Sequence, residues 1–135
     1  MENTKGLTTG DVLSSEQIGF LRERLQSERQ RILDMYEADV RAGQLAGADD
    51  GTEDLVDQAN KAWNREFMFS LSDNERKHLL LIEAAIVRLD AGTYGICLHS
   101  GEPIAYPRLL AVPWARYTVD VQEKIEKGLL EEDEI

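Results

Sequence analysis

Residues 14–42 read SSEQIGFLRERLQSERQRILDMYEADVRA, and the fold turns on how this stretch is patterned. Ile18, Leu21, Leu25, Ile32 and Met35 recur at steps of three, four, seven and three, with Glu28 at the one polar position of the series. That spacing lines one face of a helix and forms the seam of a coiled coil. Ser14 followed by Gln17 has the spacing of a capping box, which satisfies backbone N–H donors at a helix start. No glycine or proline interrupts residues 20–42. The pattern predicts a helix over residues 15–42.

Gly43 and Gly47 end that pattern, and Thr52 or Asp54 can cap a new helix whose first turn holds Glu53, Asp54 and Asp57. Carboxylates there suit the positive end of the helix dipole. Val56, Ala59, Trp63 and Phe67 form a first apolar stripe, and Ile82, Ala85, Ile86 and Leu89 a last one. Ser72-Asp73-Asn74-Glu75 offers an internal cap. With no glycine or proline beside it, one continuous helix over about 54–90 is the expectation. Such a helix extends roughly 55 Å. Two helices of this kind, joined by a short loop, make an antiparallel coiled-coil hairpin rather than a globule. Its loop end, near 48–59, carries Asp49, Asp50, Glu53, Asp54 and Asp57, with no base among residues 42–60.

Outward from the hairpin the texture changes. Residues 1–13 are polar and rich in glycine and threonine, which predicts a flexible tail. Gly92 follows Ala91 as a helix stop. Residues 93–104, TYGICLHSGEPI, lack helical period and read as a tight turn or hairpin unit. Pro107 and Pro113 are expected to keep the next segment irregular. A short helix is predicted over about 117–127, with Val121 and Ile125 on one face and Gly128 as its stop. The final acids, Glu131 to Glu134, are expected to stay solvated. The domain reading is therefore a tail over 1–13, a hairpin over 14–91 and a small globular domain with a C-terminal helix and acidic tail over 92–135.

Charge and chemistry narrow the function. The 135 residues hold 26 Asp and Glu against 15 Lys and Arg, a net charge of −11. That balance opposes binding to a phosphate backbone or a basic membrane anchor. A single cysteine, Cys97, cannot build a disulfide framework. Neither a signal peptide nor a membrane span is expected, so the location predicted is the cytoplasm. Two histidines, His78 and His99, and one cysteine leave little for nucleophilic catalysis. No glycine spacing matches a phosphate loop. An EF-hand register at the loop end would put Ala46 and Ala48 where calcium needs oxygen donors. Cys97 and His99 alone are too few for a closed zinc site. No enzyme is expected.

Three blocks in register then carry a resemblance: Asp54-x-x-Asp57-x-Ala59, the turn Tyr94-Gly95-Ile96-Cys97, and Gly101, Ile104, Arg108, Leu109, Ala111 and Pro113 in G-x-x-I-x-x-x-R-L-x-A-x-P. Together they resemble the DksA/TraR family of bacterial transcription factors over about residues 15–125. The resemblance implies a mainly α fold: a long coiled-coil hairpin, a small globular domain like a zinc finger, and a C-terminal helix. The family's four cysteine positions read Cys97, Ser100, Thr118 and Val121 here. Three thiolates are missing, so no zinc or other cofactor is expected. Tyr94, Ile104, Leu109, Leu110, Trp114 and Tyr117 must then hold the domain by packing.

The resemblance also implies a mode of action. The hairpin enters the secondary channel of RNA polymerase without binding DNA, and its acidic tip alters open-complex stability in the manner of the stringent response. Asp57 is then the principal effector acid, Asp54 its neighbour, and Ala59 a small residue permitting close approach. Cooperation with ppGpp is part of the same likeness. However, the positions that are basic in responsive relatives read Leu81, Val112 and Gln122, and none supplies a cation. Two alternatives remain open: a Gre-like transcript cleavage or elongation factor, and a structural coiled-coil adaptor. A monomer is expected.

Overall fold

The computed structural model describes residues 6–43, 67–68 and 70–135 of the chain. Among the described residues the bounded helices are, in order, α1 Thr9–Val12, α2 Ser15–Gly43, α3 Asp73–Ala91, α4 Tyr106–Ala111 and α5 Val119–Glu126. Helix α2 starts where the capping box places it. Ser14 N–H donates to Gln17 Oε1 at 2.9 Å, and Gln17 N–H donates to Ser14 Oγ at 3.1 Å.

Helices α2 and α3 pack against each other. Their cross-links run in opposite senses along the two chains: Arg22 pairs with Asp90 at 2.8 Å and Arg29 with Glu83 at 3.0 Å. The pair is therefore antiparallel. Leu21 and Leu25 are fully buried and Ile32 is buried, facing Leu79, Ile82, Ala85 and Leu89 of α3. The seam departs from expectation at its far end, where Met35 is 53% exposed. There, at the first turn of α3, Met35 rims a cleft of about 380 Å3 with Ile32, Ser70, Leu71 and Asn74.

The fresh start of α3 at Asp73 is a correction to the single helix expected over 54–90. Residues 67, 68 and 70 are helical, but the path breaks at Leu71 and Ser72, and α3 begins afresh. Ser72 is extended and its hydroxyl accepts the Glu75 N–H, while Glu75 accepts the Ser72 N–H at 3.1 Å. Arg76 stabilises the break from the other side, donating to the carbonyls of Met68 and Leu71 at 3.0 Å each. Paired caps and a guanidinium on freed carbonyls make a helix break cheap without glycine or proline.

At the other end α3 stops at Gly92, whose φ of +80° favours glycine, with Thr93 N–H returning to Arg88 O at 2.9 Å. The chain then makes a compact turn in which Ile96 bridges Pro103, Cys97 N–H donates to Glu102 O and Ile104 N–H to Gly95 O, both at 2.8 Å. Two segments differ from expectation here. The proline-bearing stretch forms α4, because Pro107 lies in the first turn, where no N–H donor is required. Part of the tail over 1–13 is docked: Thr9 N–H donates to Gly92 O at 2.8 Å, Thr9 Oγ1 donates to Tyr94 O at 2.9 Å, and Leu13 is buried. Gly95, at φ +86°, makes room for this segment, since a Cβ there would meet Leu13 at 3.3 Å.

Candidate functional site

The acids expected to act, Asp54 and Asp57, and the small Ala59 lie outside the described residues, together with the whole loop end over 48–59. The described residues comprise the α2/α3 pair and the small base packed beside it.

The base is built on the turn after α3. Tyr94 is fully buried and its hydroxyl donates to Pro113 O at 2.7 Å. Burial raises its phenol above the ordinary value, against the opposing pull of Arg88 and Arg24. Ile104, Leu109, Ala115 and Tyr117 complete the small core, with Leu110 and Trp114 half-buried around it. The six residues expected to hold this domain by packing are thus in or against its core.

Arginines fasten the base to the helices by donating to backbone carbonyls. Arg24 of α2 reaches Leu110 O at 2.9 Å, Arg88 of α3 reaches Ala115 O at 3.4 Å, and Arg108 of α4 reaches Tyr117 O at 3.0 Å. Burial lowers the Arg88 pKa from its usual value. His78 adds a second joint: its ring meets Trp114 edge-on at 4.4 Å, and its Nε2 lies 3.1 Å from Glu28 Oε2 across the seam. Glu28 also accepts from Arg31 at 2.6 Å, and hydrogen bonds from Arg31 and then His78 hold its carboxyl at about 2. The polar seam position is therefore a three-residue lock between the helices and the globular base.

The four positions expected to replace a metal site come together. Ser100 N–H lies 3.4 Å from Cys97 Sγ, Thr118 Oγ1 lies 4.0 Å from the same sulfur, and the Val121 N–H donates to Thr118 Oγ1 at 3.4 Å. Thr118 thereby caps α5. Burial pushes the Cys97 thiol up, yet hydrogen bonds from Ser100, Thr118 and His99 outweigh it and hold the thiol below its ordinary value. These residues do not fit a zinc ion. Val121 is buried and offers no donor, and the Thr118 hydroxyl is committed to its cap. Among the described residues no group of three or more His, Cys, Asp or Glu side chains could hold a metal. The three positions that are basic in ppGpp-responsive relatives are also described: Leu81 and Val112 are half-buried, and the Gln122 amide donates to Glu126 at 3.2 Å.

Sequence reasoning missed two features of the base. The arginine-to-carbonyl joints leave no local signal, because each acceptor is a backbone group distant in the chain. The C-terminal acids were expected to be solvated, but Glu132 and Asp133 are docked onto Arg116 and Tyr117. Opposite charge was visible in the sequence; which acid meets which base was not.

Residues 92–127 match the prokaryotic dksA/traR C4-type zinc finger family. The RNA polymerase-binding transcription factor DksA of Caulobacter vibrioides is 30% identical over 115 residues, covering 85% of this chain and 80% of that protein. Two solved structures have the same architecture. One is the RNA polymerase binding protein and transcriptional regulator Dks of Chlamydia trachomatis, 28% identical with a TM-score of 0.55, covering 89% of this chain and 99% of that one. The other is transcription factor DksA2 of Pseudomonas aeruginosa, 30% identical with a TM-score of 0.58, covering 85% of this chain and 87% of that one.

Proposed function

Because this chain belongs to the DksA/TraR family, we propose that it is a bacterial transcription regulator that binds RNA polymerase and acts without enzymatic chemistry. The observation that carries the reading is the antiparallel α2/α3 pair, cross-braced by Arg22–Asp90 and Arg29–Glu83 and fastened by arginines to a finger-like base. A slender rod on a fixed base can enter a pore and deliver its end to a set depth. With a net charge of −11, the protein is drawn to a basic channel and repelled by DNA.

In this reading the hairpin enters the secondary channel, and Asp57, with Asp54 beside it and the small Ala59 permitting close approach, alters open-complex stability. Leu81, Val112 and Gln122 supply no cation for a polyanion, so ppGpp is not held by these positions. The test is transcription in vitro from a ribosomal RNA promoter, with and without ppGpp, using wild-type protein and Asp57→Asn. Asp57→Asn is expected to keep polymerase affinity and to lose the effect on transcript yield. Wild-type activity in that variant overturns the role of Asp57. Absence of any polymerase binding by the wild type overturns the reading as a whole.

A further inference from the structure

In a four-thiolate finger the metal has one mechanical task, which is to pin the first turn to the start of the following helix. Here the same two pieces, residues 97–100 and 118–121, are together with one sulfur between them. Contacts to Cys97 Sγ at 3.4 and 4.0 Å are weak fasteners. A stronger grip is applied next door, at residues 116 and 117, by the end of the chain.

The Arg116 side chain is only 5% exposed. Its Nη1 donates to Asp133 O at 2.8 Å, and its Nη2 pairs with the Glu132 carboxylate. The Tyr117 hydroxyl is used twice, donating to Asp133 Oδ2 at 2.9 Å and accepting the Asp133 N–H at 2.7 Å. Leu130 packs half-buried against the core, and Lys77 of α3 lies 3.7 Å from the same Glu132 oxygen. The gripped residues pass the restraint on. Arg116 O accepts the Leu98 N–H at 2.9 Å, one residue from Cys97, and Tyr117 O accepts from Arg108 at 3.0 Å.

We infer that residues 130–133 are an intramolecular clamp that takes over the zinc ion's mechanical task, holding the turn at 97–100 against the start of α5. Three physical points favour it. A buried guanidinium deprived of its carboxylate is strongly penalised, so the docked state is favoured. The loop closed between Arg116 and Glu132 is short and costs little entropy. The bonds are also selective: Glu131 and Glu134 have the same charge and none of them.

The test compares stability and exchange between the parent chain and five variants. Deleting residues 131–135 is expected to lower Tm by about 5 °C or more and to speed hydrogen exchange at the Leu98 amide. Full-length Glu132→Ala is expected to shift both in the same direction by a smaller amount. Glu131→Gln with Glu134→Gln is expected to leave both unchanged. In a chain carrying Ser100→Cys, Thr118→Cys and Val121→Cys, zinc uptake of one ion per chain is expected, and the same deletion then costs less than half the Tm loss. Unchanged Tm and Leu98 exchange on deletion overturn the clamp. A restored chain that takes up no zinc, or one that loses as much Tm on deletion as the parent, overturns its equivalence to the metal.

Discussion

Tyr94 and Glu28 carry two different kinds of residue-level stability. Tyr94 is fully buried and supplies the hydroxyl donor to Pro113 O. Removing one partner of a buried hydrogen bond leaves the other with its desolvation cost. Tyr94→Phe is therefore expected to destabilise the fold by about 1–2 kcal/mol in urea denaturation, with the ring packing kept. Glu28 acts through charge. Its carboxyl titrates at about 2 in the fold against 4.5 ordinarily, chiefly because Arg31 and then His78 donate to it. A depressed carboxyl contributes stability that is fully present above pH 4.5 and is lost as pH falls toward 2. Glu28→Gln is expected to have a lower Tm than wild type at neutral pH, and the two Tm curves are expected to converge between pH 4.5 and 2. A constant gap across that window overturns the assignment.

The break before α3 is an element-scale device. Ser72 and Glu75 exchange hydrogen bonds, and Arg76 collects the Met68 and Leu71 carbonyls. Ser72→Ala removes the side-chain acceptor of the Glu75 N–H and is expected to cost about 1 kcal/mol, as cap losses generally do. Denaturation of the variant with an unchanged urea m-value checks this, since the buried surface stays the same. Beside the break, Met35 sits at a cleft instead of in the seam.

For the whole molecule, the question is what holds a domain that matches the C4-type zinc finger family over residues 92–127 but is built by packing and hydrogen bonds. The donor set at Cys97, Ser100, Thr118 and Val121 does not fit zinc, so chelation is expected to remove no folding energy at this site. EDTA is expected to leave Tm unchanged, as read by calorimetry before and after exhaustive dialysis. A drop of several degrees overturns this.

Helix starts and stops were legible where they are local and unopposed: Ser14 with Gln17, Gly92 and Gly128 act within four residues of themselves. The missing thiolates were legible for the same reason, and so was the acidic excess. The choice at Ser72 was not, because both a cap and a continuous helix satisfied the local pattern, and Arg76 tipped the balance by reaching back to carbonyls of the preceding segment. Only tertiary structure decided that Thr9 docks on Gly92 and Tyr94, that Arg24 and Arg88 seat the base, and that Arg116 takes Glu132 and Asp133. Each of these joins groups far apart in the chain, many of them backbone carbonyls that every residue has. Periodicity and capping select neighbours along a helix; with 26 acids and 15 bases, the pairing at a distance is selected by the packed shape alone.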